Sequence, residues 1–181
     1  MVKKILLYIS NLWLSCYNVI VRRIGSEIMN KEISILDVAK RLICKFNDDD
    51  KEITQLKLQK MLYFIEAYYM VKYNKPSLYK EEFYAWTYGP VCKEIYDKYK
   101  YYLNSPIYEE CEILPYLDDE IQSSINDVYL LFSKYSTSQL IGITHLDGSP
   151  WSNIRKLKDL NLVIPKKETK EWFKEMVLQN D

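Results

Sequence analysis

The chain reads as mainly α: a compact single-domain helical bundle of about six helices with one or two short β segments. Three observations predict this. Apolar residues recur at helical spacing in successive stretches. Capping or breaking residues bound each stretch. Glycine is scarce, at 4 of 181 residues, and the aromatic run at residues 82–88 is short and suits an extended strand.

Taken in order, Ser34 with Asp37 three residues later resembles a capping box, Asp standing in for Glu. Leu36, Ala39, Leu42, Ile43 and Phe46 follow on one helical face. Asn47-Asp48-Asp49-Asp50 ends that helix as a solvated acidic turn; a calcium loop would need alternating ligands, a glycine and a closing glutamate. Thr54 caps a longer second helix whose stripe is Leu58, Met61, Leu62, Ile65, Tyr68 and Tyr69, with Tyr63 and Tyr73 off the stripe. Asn74 closes it and Pro76 forbids continuation. Gly89 reaches backbone angles closed to other residues, and Pro90 pre-sets φ for a first helical position. A third helix is therefore predicted from Pro90, with Val91, Ile95, Tyr99 and Leu103 inward.

Pro106 and Pro115 bracket a loop. Asp118 or Asp119 opens a fourth helix carrying Ile121, Ile125, Val128, Leu131 and Phe132. Ser136 or Thr137 caps a shorter one ending at Thr144, and Ser149-Pro150-Trp151 starts another. Leu162-Val163-Ile164 reads as a short strand, and Glu168 to Val177 as a last helix with Trp172, Phe173 and Met176 inward.

Composition narrows the function. Hydrophobic residues make up 48% and formal net charge is zero. A sizeable core is available, and the clustered positive charge that nucleic-acid binding needs is lacking. Cys16, Cys44, Cys92 and Cys111 are widely spaced, and His145 stands alone, so no zinc-ligand pattern exists. Four isolated thiols read as reduced, hence cytosolic. The 17 tyrosines suit an aromatic binding surface but also the codon bias of an AT-rich genome.

Residues 5–21 are apolar, with Lys3 and Lys4 before them and Arg22 and Arg23 after. Their length reaches the lower edge of a membrane span. Ser10, Asn11, Ser15 and Asn18 interrupt it, which argues against a lipid-facing helix. No small-residue cleavage site follows. Residues 1–29 are thus an apolar extension with three open readings: an over-called start ahead of Met29, an apolar helix packed on the domain or a partner, or a membrane anchor.

No catalytic constellation emerges. The glycines are too far apart for a phosphate loop, and there is no Gly-x-Ser-x-Gly elbow. His145 invites two readings: a base oriented by Asp147, or a residue capping a helix end, where its side chain suits the dipole. Trp86 and Trp151 read as packing residues. Tyr96 and Tyr101 fall off the inward face of the third helix and suit a partner surface. Lys93, Lys98 and Lys100 alternate with these tyrosines, but Glu94 and Asp97 break the basic character that single-stranded nucleic acid would want.

Several stretches fall in a recognisable order: Asp37-Val38-Ala39-Lys40; Leu56-Lys57-Leu58-Gln59-Lys60-Met61-Leu62-Tyr63-Phe64; Ala85-Trp86-Thr87-Tyr88-Gly89-Pro90-Val91 with Ile95-Tyr96; Thr144-His145; Pro150-Trp151. Over residues 30–178 this series resembles the Panacea antitoxin domain, also called SocA-like or phage-associated GepA-like. Thr87 and Cys92 depart from its pattern. The resemblance implies a mostly helical domain of toxin–antitoxin operons and prophages that neutralises a cognate toxin by direct binding. The residues themselves add the expectation of no enzyme, no cofactor and no metal, and the isolated thiols that of the cytoplasm. The alternative the resemblance brings is an adaptor that delivers its partner to a ClpXP-type protease; Leu178-Gln179-Asn180-Asp181 carries no obvious degradation signal of its own. Some relatives add an N-terminal DNA-binding helix-turn-helix, for which residues 1–29 are too few. Candidate partner contacts are Tyr63, Tyr73, Tyr96 and Tyr101.

Overall fold

One helix, buried on every side, organises the bundle. The computed structural model describes residues 33–157 and 161–178. Its elements are α1 (Ile35–Asp48), α2 (Gln55–Lys72), the hairpin β1 (Phe83–Trp86) and β2 (Gly89–Cys92), α3 (Lys93–Tyr99) running into a 3-10 turn (Lys100–Tyr102), α4 (Asp119–Phe132), α5 (Thr137–Thr144), α6 (Pro150–Arg155) and α7 (Lys166–Leu178). The predicted class holds: among the described residues there are seven α-helices and one two-stranded antiparallel sheet. The readings of residues 1–29 and of the C-terminal tail fall outside the described residues.

The helix boundaries follow local chemistry. Ser34, Thr54, Asp118, Ser136 and Ser149 each accept a backbone N–H from the first turn that follows. Ser136 and Gln139 form a full capping box. Pro150 sits in the first turn of α6, where its missing N–H costs nothing. Asn74 takes φ +52° just beyond α2, as the sequence suggests.

The single-stripe reading of α2 is corrected. This helix packs against α1, α4, α5, α7 and β2, so Gln59, Lys60, Tyr63, Phe64 and Glu66 are buried along with Leu58, Met61 and Leu62. Tyr63 is therefore a core residue and not a partner contact. Its hydroxyl shares a 3.1 Å hydrogen bond with Thr169 Oγ1, and its ring meets Phe83 edge-on at 5.4 Å. Phe64 stacks on Phe132 at 4.8 Å. Glu66 is held by Lys166 at 3.0 Å; burial pushes its carboxyl up, and the lysine opposes that shift. Tyr73 is half-buried at the end of α2, its ring 5.4 Å from Tyr69.

Other expectations are also corrected. Residues Gly89–Cys92 form β2, with Trp86 opposite Gly89 and Phe83 opposite Cys92. The third helix begins at Lys93, with Cys92 at its N-cap. Gly89, at φ +101°, follows the Thr87-Tyr88 turn; a glycine in that region closes a short hairpin loop. Pro90 is tolerated because the sheet has only two strands. Leu103 lies beyond α3, at φ +51° and 76% exposed. Leu131 is exposed, and Tyr129 takes the inward position on α4. The predicted strand at 162–164 reduces to one bridge, Val163 to Tyr84, flanked by Ala85 N–H to Leu162 O (3.0 Å) and Ile164 N–H to Phe83 O (2.8 Å).

The reading of four reduced thiols does not hold. Cys44 of α1 is disulfide-bonded to Cys111, 67 residues away in the sequence. Sequence spacing carries no trace of such a contact, because the fold alone brings the connection before α4 onto α1. Cys92 is free and buried.

The capping box yields a direct test. Replacing Ser136 by Ala removes the side-chain acceptor and is expected to lower stability by about 1 kcal/mol, read as a fall in thermal midpoint with the helical signal unchanged before melting.

Candidate functional site

Several motif residues of the sequence, Gln59, Lys60, Gly89, Pro90, Thr144 and Trp151 among them, meet along one seam between α2, the hairpin, α5 and α6. The side-chain amide of Gln59 acts as an extra backbone unit at the end of β2. Its Oε1 accepts the Cys92 N–H at 2.9 Å and its Nε2 donates to Cys92 O at 3.0 Å. One turn position on, Lys60 is fully buried, and its Nζ donates to Pro90 O at 3.0 Å. Burial pushes this amine down to about 7. Gly89 lies against it: a Cβ there would stand 2.5 Å from Lys60 Cε and 2.9 Å from Thr144 Oγ1.

Thr144 extends the seam. Its carbonyl accepts Ser149 Oγ–H at 2.7 Å, which positions the cap of α6. His145, the C-cap of α5, stacks on Trp151 at 3.5 Å with an 8° tilt. Trp151 Nε1 in turn donates to Trp86 O at 2.8 Å. The hairpin is thus fastened at Cys92 by Gln59, at Pro90 by Lys60 and at Trp86 by Trp151. Lys57 faces another way and donates to Ser133 O at the end of α4 (2.8 Å). Leu58 and Pro150 are buried.

Fastened this way, the hairpin presents a groove to solvent. About 570 Å³ in volume, it is lined by Leu56, Trp86, Tyr88, Val91, Tyr96 and Leu103 together with the polar Gln55, Thr87, Asn104 and Asn161. Trp86 meets Tyr96 edge-on at 5.0 Å. Tyr88 is 63% exposed at the hairpin turn. Trp86 Nε1 is buried with no hydrogen-bond partner among the described residues. Of the four tyrosines expected to contact a partner, Tyr96 lines this groove and Tyr101, 83% exposed, sits on the 3-10 turn that follows α3. Tyr63 and Tyr73 are not brought to it. Sequence reasoning did not single out Leu103 as a surface residue, and it placed Tyr88 in the motif without a role. The Gly89 turn was the available signal for Tyr88, since a residue just before a hairpin glycine stands at the tip.

His145 sits at the C-cap of α5, with its Nε2 buried and without a hydrogen-bond partner among the described residues. Burial is the main cause that pushes its imidazole down, with the Lys60 and Arg155 charges adding to it. Asp147 pairs with Lys156 at 3.3 Å. Burial also pushes the Cys92 thiol up. Among the described residues no group of three or more His, Cys, Asp or Glu side chains is placed to hold a metal ion, and no helix is long and apolar enough to cross a membrane.

Two substitutions test the seam. Gly89→Ala forces a Cβ into Lys60 at a positive φ, and a loss of about 2 kcal/mol or more is expected in denaturant unfolding. Lys60→Met tests the buried amine through pH. The folded amine titrates near 7 and the unfolded one near 10.5, so between those values the unfolded chain holds one more proton. Wild-type stability relative to Lys60→Met should therefore rise with pH across that window, by up to about 1.4 kcal/mol per unit, and stay flat below it.

The family described as "Antitoxin SocA-like, Panacea domain" matches residues 58–152, which run from α2 into α6 and include the whole seam. Antitoxin SocA of Caulobacter vibrioides (strain NA1000 / CB15N) is 32% identical over 136 residues, covering 69% of this chain and 72% of the relative. No solved structure matches significantly. With more than half of the chain inside the family's extent, and a relative of this identity over most of its length, the protein belongs to the SocA-like antitoxin family that carries the Panacea domain.

Proposed function

We propose that this chain is an antitoxin that neutralises a cognate toxin protein by direct binding, through residues 30–178 and without catalysis of its own. The groove beside the hairpin is the contact face in this reading. The supporting observation is that the fold fastens its hairpin from behind while Trp86, Tyr88, Tyr96 and Leu103 are left at a solvent-facing groove. A large apolar side chain held at positive φ, as in Leu103, marks a position where backbone strain is retained, and such strain clusters at ligand clamps. Aromatic anchors of this kind dominate the energetics of standard interfaces, and a nanomolar complex needs about −12 kcal/mol.

The test is co-expression of the toxin encoded in the same operon with the wild type, Tyr88→Asp or Leu103→Asp. Both sites are exposed, so thermal midpoints should stay within about 2 °C of wild type. Affinity for the toxin should fall at least about 30-fold, with protection lost. Full protection and unchanged affinity in both variants would remove the groove from the account. Toxin half-life in the same cells separates capture, which leaves the toxin stable, from delivery to a ClpXP-type protease, which shortens it.

A further inference from the structure

We propose that Cys111 is a thiol-exchange site, and that its bond to Cys44 is a redox clasp on the segment between the 3-10 turn and α4. Residues 103–118 contain no helix or strand, only the bridge from Thr54 to Pro106. Connections of this length inside a domain are uncommon and tend to be functional. Beyond that bridge, Tyr108, Ile113 and Tyr116 turn large apolar side chains to solvent. Their own packing contributes little to holding the backbone in place. The Cys44–Cys111 bond is its one covalent tie; beside it, Arg41 Nη2 donates to Pro115 O at 2.8 Å, Tyr99 O–H donates to Glu109 at 2.7 Å, Lys98 pairs with Glu109 at 3.4 Å, Tyr102 O–H donates to Tyr108 O at 3.3 Å, and Leu117 is buried at its end.

The two sulfurs differ in access. Cys44 is buried within α1, whereas Cys111 is half-buried in the loop. A small thiolate reaches Cys111 Sγ. Its attack forms a mixed disulfide on Cys111 and breaks the Cys44–Cys111 bond. Cys44 leaves as a thiolate and is then protonated from solvent. A second thiolate attacks the small-molecule sulfur of the mixed disulfide. It releases Cys111 and a small-molecule disulfide, so two thiols supply the two electrons. Closure is the reverse, with the small-molecule disulfide as oxidant.

The effect is local. Ile107 N–H donates to Ile53 O at 2.9 Å, and the Thr54–Pro106 bridge lies beside it. These ties stand between the clasp and Leu103–Asn104 at the groove, so opening releases residues 108–116 and leaves the groove in place. The inference needs no binding partner and does not rest on the antitoxin reading.

The full chain, equilibrated in glutathione buffers of graded ratio, provides the test. Thiol titration in denaturant should count two more free cysteines in reducing buffer than in oxidising buffer, as Cys44 and Cys111 open. Chymotrypsin should cut between residues 108 and 116 at least about tenfold faster in the reduced protein. Cys111→Ser, a substitution at the more exposed partner, should match the reduced rate in any buffer. Peptide mapping after brief glutathione treatment should place the adduct on Cys111. Equal cleavage rates in both redox forms, an adduct on Cys44, or the same thiol count at every ratio would each overturn the proposal.

Discussion

The contact on which the rest depends is the grip of α2 on the hairpin, made by two neighbouring polar side chains, Gln59 and Lys60. A two-stranded hairpin is marginal in water by itself. Here the inner face of β2 is completed by side chains from a helix. The amide of Gln59 satisfies both polar groups of Cys92, and the amine of Lys60 takes the carbonyl of Pro90. Burying an ionised lysine without a carboxylate would be costly. The depressed titration of Lys60 lets the site hold a neutral amine, which still donates to a carbonyl. Gly89 completes the arrangement, since only a residue without a side chain fits against that lysine.

From that grip the outward surface follows. With Cys92, Pro90 and Trp86 each tied from behind, the hairpin turn points Tyr88 to solvent, and Trp86 packs beside Tyr96 on α3. The motif residues Gln59, Lys60, Gly89 and Trp151 are architectural in this sense: they hold the hairpin in place from behind.

Much of the fold was legible because helix ends are local. Ser136 with Gln139, Ser149 with Pro150, and Asn74 at positive φ each act within a few residues of sequence. The errors came from tertiary context. A helix buried on every side has no polar face, so the apolar stripe of α2 hid the fact that Gln59, Lys60 and Tyr63 are inside. Gly89-Pro90 fits a helix start as well as a strand, and the choice was made by Gln59, thirty-odd residues away, with β1 opposite. The Cys44–Cys111 pairing depends on where a long connection lands, which no local pattern records. For the site, the motif residues were found but their role was hidden, because a buried donor and an exposed contact look alike in a one-dimensional series.

Native-state hydrogen exchange on Gln59→Leu tests the grip most directly. The substitution keeps the size of the side chain and strips both partners from Cys92. The account predicts that backbone amides of residues 83–92 exchange at least about tenfold faster than in the wild type, while those of α2 and α4 change only with global stability. Hairpin amides as protected as before would contradict it.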